Sequence, residues 1–155
     1  MNIEQIHAYY NGLLADAIKS FWDERGLGSR YRTVLVGVDK FLEENPAIVG
    51  KAVSTDDAVA LVEKYLVEKG IATKATFEVE KDYVDVIRLK VEGCIHNPVE
   101  EKLKEFGIER PITCMCGNLL MAVIEQGGNR TTEMAKVKCE NGFCSIDFAC
   151  FEIEK

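Results

Sequence analysis

Two β-hairpins, separated along the chain by helical segments, are the feature that most constrains how this sequence can fold. In the first, "TKATFEVE" and "YVDVIRLKVEG" flank a short polar turn around Lys81-Asp82. In the second, "TTEMAKVKC" and "FCSIDFACFEI" flank Asn141-Gly142, a dipeptide typical of tight hairpin turns. Hairpins build antiparallel sheets, and helices that are separate from them in sequence cover one face of such a sheet. We therefore predict an α+β fold in which a helical layer packs on a four-stranded antiparallel sheet made of two hairpins.

Four helices are predicted from apolar periodicity and from cap signals. Residues 3–24 carry apolar side chains at steps of three and four, which indicates an amphipathic helix. Ser54 and Asp57 form a start signal for a second helix. Asn97-Pro98 is a typical start for a third, and "CMCGNLLMAVIEQ" is a fourth, apolar helix. Each of the four ends at or near a glycine, which favours helix termination.

Other parts of the N-terminal half are less clear. The segment 31–45 is ambiguous, because "TVLVGV" is typical of a strand while "VDKFLEEN" is typical of a helix. On the first helix, Tyr9, Tyr10, Phe21 and Trp22 are predicted to be core residues.

The composition limits the possible classes of protein. The 155 residues, 47% of them hydrophobic, suit one globular domain spanning 1–155. The net charge of -7 argues against direct nucleic-acid binding, because phosphate contacts need a basic surface. No apolar run approaches the roughly 18 residues of a membrane span, and the start "MNIEQIHAYY" lacks the pattern of a secretory signal. We expect a cytoplasmic protein without membrane contact.

All six cysteines fall in the last 62 residues, and such clustering is unusual for buried free thiols. A cytoplasmic chain is not expected to use them as structural disulfides. Five of them lie at the ends of predicted elements, where helix N-termini lower the pKa of a thiol and make it a better metal ligand. These candidate metal ligands are Cys94, Cys114, Cys116, Cys139 and Cys144. Cys150 lies on a strand face with Ile146 and Phe148 and is predicted to be core.

The spacings of these residues are compatible with a zinc site but do not settle it. Zinc takes four Cys or His ligands at tetrahedral angles. The pairs are Cys114-x-Cys116 and Cys139-x4-Cys144, neither of which is the common C-x2-C pair. His96 is either a further ligand or a surface residue beside the helix start. The alternative is that the cysteines are small hydrophobic residues that fill gaps near the ends of the sheet.

Signals for catalysis or nucleotide binding are weak in this sequence. The chain has two histidines, no G-x-S-x-G motif and no Gly-rich phosphate loop. The charged run "VEEKLKEFGIER" is most simply the solvated face of a helix, so its glutamates receive no role. Whether the protein is an enzyme stays open, with a non-catalytic role favoured.

Three stretches of the C-terminal half together resemble a known family. "YVDVIRLKVEGC", "CMCGNLLMAVIEQ" and "MAKVKCENGFCSIDFACFEI" are similar to the 4-vinyl reductase, or hydrocarbon-binding, domain family, over about residues 73–153. The resemblance implies a helical layer on a four-stranded antiparallel sheet, a homodimer, and an apolar ligand pocket. In the sensor members it implies a structural zinc held by three cysteines and one glutamate.

The same resemblance implies particular ligands in this chain. Cys114 or Cys116 matches the first zinc ligand, and Cys139 and Cys144 match the next two. The position of the family's glutamate is Lys136 here, which cannot bind zinc while charged. A substitute ligand is needed, and Cys94 or the remaining thiol of the Cys114/Cys116 pair is available.

The sequence thus predicts a non-catalytic binding or sensor domain for a small hydrophobic ligand. The ligand is expected between the N-terminal helices and the sheet, with a cysteine-bound zinc fixing the C-terminal hairpin. One alternative is an enzyme or electron carrier with a cysteine-bound iron–sulfur cluster. Another is a metal-free redox switch, in which Cys94 forms a disulfide with Cys114 or Cys116.

Overall fold

The structure is a computed structural model that describes residues 2–25, 36–108 and 114–154. Its helices and strands, in chain order, are α1 (Ile3–Arg25), α2 (Val38–Glu44), a short 3-10 helix (Pro46–Ile48), α3 (Thr55–Glu68), β1 (Lys74–Glu80), β2 (Asp85–Glu92), α4 (Asn97–Glu105), α5 (Met115–Glu125), β3 (Arg130–Glu140) and β4 (Phe143–Glu152).

The predicted α+β fold is confirmed. The four strands form one sheet in the order β1-β2-β4-β3, and every neighbouring pair is antiparallel. The two hairpins join through β2 and β4, which are therefore the central strands. Ile87, Leu89 and Ile146 are fully buried on one face of these strands. Side chains on the opposite face meet solvent, and there Arg88 Nε donates to Asp147 Oδ1 at 3.0 Å.

Helices α2, α3 and α5 cover the buried face of the sheet. Phe41, Leu66 and Leu120, one from each helix, are fully buried in the same hydrophobic core as the central strands. The predicted start of α3 is confirmed, because Ser54 Oγ accepts a hydrogen bond from the Asp57 N–H at 3.1 Å. The ambiguous segment 31–45 is helical from α2 onward, and its first five residues lie outside the described ranges.

Helix α1 packs away from the sheet, against α4. Ala15 and Ile18 are buried beside Val99 and Leu103 of α4, and Trp22 packs against this second, smaller core. The predicted amphipathic helix and its end near Arg25 are confirmed. One narrow face of α1 is thus sufficient to attach it to the domain.

The prediction that the aromatic residues of α1 are core residues is wrong for three of the four. Tyr9, Tyr10 and Phe21 are 58%, 65% and 47% exposed. The physical reason is the direction of packing: α4 covers only the side of α1 that carries Ala15 and Ile18. A periodic apolar pattern shows which residues share a face, but it does not show which face is covered.

Candidate metal centre

A small cavity lies where the C-terminal hairpin meets the starts of α4 and α5. Its volume is about 20 Å³, enough for about one water-sized sphere. Four of the six cysteines line it, together with one imidazole, one carboxylate and one amide. The lining residues are Cys94, His96, Asn97, Glu100, Cys114, Met115, Cys139 and Cys144. Segments that are distant in sequence therefore present four of the six cysteines and one of the two histidines to the same cavity.

Cys94 reaches this cavity from the connection between β2 and α4. The Gly93 N–H donates to the carbonyl of Gly142 at 3.1 Å, which joins the end of β2 to the turn of the second hairpin. The carbonyl of Cys94 then accepts from the Asn97 N–H at 3.0 Å as α4 begins. Two backbone hydrogen bonds thus place the Cys94 thiol beside the cysteines of the hairpin.

Cys139 and Cys144 face each other across the second hairpin. Asn141 and Gly142 both have positive φ, 52° and 76°, as the tight two-residue turn requires, so the predicted hairpin is confirmed. The two cysteines form a directly opposed pair with a Cα–Cα distance of 4.1 Å, and their Sγ atoms lie at disulfide distance. A pair this close can supply two thiolates to one metal ion or form one disulfide.

The two cysteines of "CMC" separate at the start of α5. Cys114 is the N-cap and lines the cavity, and its carbonyl accepts from the Asn118 N–H at 2.8 Å. Cys116 is 1% exposed in the main core, because residues two apart on a helix point to different sides. Its Sγ lies 4.0 Å from Cys94 Sγ. Cys114 therefore lines the cavity, whereas Cys116 lies in the main core next to Cys94.

A glycine allows α5 to approach the sheet at this point. A Cβ on Gly117 would lie 2.7 Å from Met134 Cε and 3.1 Å from Phe148 Cζ, so a larger residue would require the Met134 side chain and the Phe148 ring to move. This close contact holds the first turn of α5, and with it Cys114, against the second hairpin.

His96 and Glu100 form a buried polar pair on the wall of the cavity. His96 Nε2 lies 3.2 Å from Glu100 Oε1, within ion-pair distance, but neither atom makes a hydrogen bond of good geometry within the described residues. Glu100 is 7% exposed, so the prediction that it lies on a solvated face is wrong. The first turn of α4 faces the cavity and not solvent. The sequence signal that could have identified this buried pair is the i, i+4 spacing of His96 and Glu100.

Lys136, at the position where the family resemblance expects a glutamate, lies away from the site. It pairs in register with Asp147 of β4, on the exposed face of the sheet. Residues three apart on a strand point to opposite faces, so Lys136 and Cys139 diverge. Lys136 therefore brings no charge to the cavity.

Two neighbouring thiols, Cys94 of the cavity and Cys116 of the core, have shifted pKa values. The pKa of Cys94 falls from an ordinary 9.0 to about 6, chiefly because the Cys116 thiol donates a hydrogen bond to it. Burial opposes this shift, and the His96 backbone N–H supports it. Hydrogen bonds with Cys114 and Cys94, together with burial, raise the pKa of Cys116. Of this pair, Cys94 has the lowered pKa and Cys116 the raised one, so Cys94 is the thiol that loses its proton more readily.

Cys150 lies outside this centre. It is 5% exposed in the main core beside Ile146 and Phe148, as predicted. Burial raises its pKa to about 11.

The donor set around the cavity fits zinc, although it is not arranged as a formed metal site. Within residues 2–25, 36–108 and 114–154, no three or more Cys, His, Asp or Glu side chains stand where they could hold a metal ion. The sulfur atoms of Cys139 and Cys144 are directed at each other. The metal-ligating groups that do line the same cavity are the thiols of Cys94, Cys114, Cys139 and Cys144, with His96 and Glu100 beside them.

Comparison with protein-family models, with curated proteins and with solved structures finds no match for this chain. Among the helices of the described ranges, none is long and apolar enough to cross a membrane.

The pKa of Cys94 leads to a first prediction. In reduced, metal-free protein, alkylation of Cys94 by iodoacetamide should be slow below pH 6 and should reach half its maximal rate near pH 6, because the thiolate is the reactive form. Peptide mass spectrometry across a pH series measures this. Replacing Cys116 with alanine should move the midpoint upward, since the main hydrogen bond is lost. A midpoint near the ordinary 9.0 in the unmodified chain would contradict the prediction.

Proposed function

We propose that this protein is a non-catalytic binding domain for a small hydrophobic ligand, in which a structural zinc ion fastens the C-terminal hairpin to the helices. The zinc ligands are Cys94, Cys114, Cys139 and Cys144. The observation that carries the proposal is the convergence of these four cysteines, from three separate parts of the chain, on one cavity of about 20 Å³. Four thiolates around one closed position are the ligand set of structural zinc sites.

Zinc binding requires Cys139 and Cys144 as thiols. A dithiol reductant supplies two electrons and two protons to any disulfide between them, and is itself oxidised to a disulfide. Each thiol that then binds the ion releases its proton to solvent. Their Cα–Cα distance of 4.1 Å keeps both sulfur atoms within reach of one ion.

Four thiolates bound to one zinc ion carry a net charge of -2, and the residues around the cavity suit such a centre. Lys104 Nζ donates to the carbonyl of Cys139 at 2.8 Å and places a positive charge beside the hairpin. The Cys116 thiol, in the core, donates a hydrogen bond to Cys94 Sγ. Metal-bound ligands commonly receive such hydrogen bonds from neighbouring groups. His96 and Glu100 form the remaining wall.

An open groove between α1 and α4 supports the ligand part of the proposal. Its volume is about 820 Å³, within the range of small-molecule sites. Apolar groups of Ala8, Tyr10, Ile95 and Pro98 line it, and the lining also includes the charged side chains of Glu4 and Lys102. This groove lies beside the helices, whereas the space between helices and sheet is filled by the packed side chains of the main core. We therefore place the ligand in the groove.

A thiol-based redox protein is the second candidate. The observation that favours it is that Cys139 and Cys144 stand directly opposite each other across the hairpin, with a Cα–Cα distance of 4.1 Å. The Cys94 thiolate, 4.0 Å from Cys116 Sγ, adds a second neighbouring pair. An iron–sulfur cluster is compatible with the same cysteines.

Elemental analysis of the full chain tests these candidates. The protein is purified anaerobically, with a dithiol reductant and without chelator, and its metals are measured by mass spectrometry. We expect one zinc ion per chain, lost in Cys114→Ser and retained in Cys116→Ala. Iron with visible absorbance would favour the cluster. Six free thiols without metal would leave the cysteines as small hydrophobic residues of the core, whereas a disulfide that forms when the reductant is replaced by mild peroxide would favour the redox alternative.

Ligand binding is tested separately with N-phenyl-1-naphthylamine, an apolar fluorophore. We expect its emission to rise on binding to the zinc-loaded chain, and Ile95→Asp to reduce this rise because it places a charge on the wall of the groove. Tyr83→Asp, at a fully exposed position elsewhere, is the control. Equal emission from all three proteins would contradict a ligand site in the groove.

A further inference from the structure

The two hairpin cysteines, Cys139 and Cys144, occupy a position in the sheet where side chains approach each other closely. Glu140 and Phe143 flank the two-residue turn and form the first pair of the ladder. Beside such a turn, the next pair is of the kind that backbone hydrogen bonds do not join, and its Cα atoms lie closer together. The Cα–Cα distance of 4.1 Å between Cys139 and Cys144 agrees with this. A disulfide between them therefore needs no large movement of either strand.

These two cysteines are brought together locally, whereas the other two proposed zinc ligands come from distant elements. The turn already holds the ends of the short loop together, so closing it with a disulfide costs little chain entropy. Cys94 belongs to the connection between β2 and α4, and Cys114 is the N-cap of α5. Oxidation of the hairpin pair thus removes two of the four sulfur ligands at once and leaves Cys94 and Cys114 as thiols.

We propose that the zinc ion and a disulfide between Cys139 and Cys144 exclude each other, so that a peroxide releases the ion and a dithiol reductant allows it to bind again. This inference rests on the proposed zinc site and adds the regulation of its occupancy. A structural zinc ion needs four ligands, and the two remaining thiolates do not satisfy it. The mechanism differs from that of a metal-free redox protein, because the oxidation acts by removing the ion that fastens the hairpin to the helices.

The oxidation is balanced with hydrogen peroxide as the oxidant. The two zinc-bound thiolates give up two electrons, the O–O bond breaks, and a bond forms between the two Sγ atoms. Two protons from solvent complete two water molecules, and the zinc ion leaves as Zn²⁺. In the reverse direction a dithiol supplies two electrons and two protons, and each thiol of the hairpin releases its proton when the ion returns.

The hairpin stays folded when the ion leaves, because its own backbone pairing holds it together. The hydrogen bond from Lys104 Nζ to the carbonyl of Cys139 also involves no metal ligand atom. What is lost is the connection through the ion to Cys114 at the start of α5. The first turn of α5 then keeps only its packing at Gly117 against the sheet. Oxidation is therefore expected to loosen this turn and to leave the sheet intact.

Parallel measurement of zinc and of disulfides in the full chain tests the proposal. Zinc-loaded protein is treated with increasing hydrogen peroxide and desalted, and its retained zinc is measured by mass spectrometry. Differential alkylation and peptide mass spectrometry assign the oxidised cysteines. We expect zinc loss to rise in proportion to the disulfide between Cys139 and Cys144, and a dithiol reductant with added zinc to restore the ion.

Three results would overturn the proposal while leaving the zinc site in place. The ion could stay bound after the hairpin disulfide has formed, or peroxide could produce neither disulfide nor zinc loss. Zinc loss could also accompany a different disulfide, such as one between Cys94 and Cys116, whose Sγ atoms lie 4.0 Å apart. A reduced chain that binds no zinc would overturn the proposed zinc site and this inference together.

Two histidine variants separate the hairpin pair from the other ligands. Cys139→His and Cys114→His each present three cysteines and one imidazole, which is a ligand set of structural zinc. Only Cys114→His retains the opposed pair. At a peroxide concentration that removes half of the zinc from Cys114→His, we expect Cys139→His to keep most of its ion. Equal loss from the two variants would overturn the role of the hairpin pair. If either variant fails to bind zinc, the proportion measured in the unmodified chain decides.

Discussion

Replacing Cys139 with serine is expected to remove the zinc ion and to lower the free energy of unfolding by at least about 3 kcal/mol, because the binding energy of a structural zinc is folding energy. The hairpin then keeps its turn but loses its connection to Cys94 and Cys114. Denaturant unfolding in the presence of a dithiol reductant, followed by circular dichroism, measures the change.

Removal of the metal provides the matched comparison for Cys139→Ser. Treating the unmodified protein with a chelator should lower its unfolding midpoint to that of the variant, while the variant should not respond to the chelator. Cys150→Ala, a change at a buried thiol of β4 outside the cavity, should lose packing energy but keep one zinc ion. If the chelator left the unfolding midpoint of the unmodified protein unchanged, this result would contradict a structural metal.

Replacing Phe148 with alanine is the second change with a large expected effect, about 3–5 kcal/mol of destabilisation. Phe148 is 1% exposed on the central strand β4, and its ring lies where α5 approaches the sheet at Gly117. The lost ring leaves a cavity that the surrounding helix and strands cannot fill without moving. Urea unfolding of the zinc-loaded protein measures the loss.

Phe151→Ala, near the end of the same strand, serves as the control for Phe148→Ala. Phe151 is 37% exposed, so its truncation should cost about 1 kcal/mol or less. Both variants should retain zinc, because neither side chain lines the cavity. Equal destabilisation by the two changes would show that the contact between α5 and the sheet is not the centre of the core.

The sheet could be predicted from the sequence because its signals are local. Asn141-Gly142 allows the positive φ values of a tight turn, and the strands alternate between apolar and polar residues. The start of α3 was also predictable, since the Ser54 cap acts on a residue three positions away. In each case the physical cause lies within a few residues of its effect.

The rest depended on contacts between distant parts of the chain. The exposure of Tyr10 follows from where α4 packs, and the sequence of α1 contains no information about that. Glu100 stands in a run of charges that is typical of a solvated surface, yet the fold turns it toward the cavity. The choice between Cys114 and Cys116 likewise depends on how α5 is rotated about its axis against the sheet, which Gly117 and the core determine together.

The position of β4 has a consequence for folding during synthesis on the ribosome. This strand is the last in the chain but central in the sheet, and Val91 of β2 pairs with Cys144. A nascent chain that lacks its final strand offers only part of the proposed zinc ligand set, and an isolated second hairpin offers only two of the four. Tight binding of the proposed ion would therefore wait until β4 has been made and the two hairpins have met. Metal binding would therefore follow the synthesis of the whole domain and would not initiate its folding.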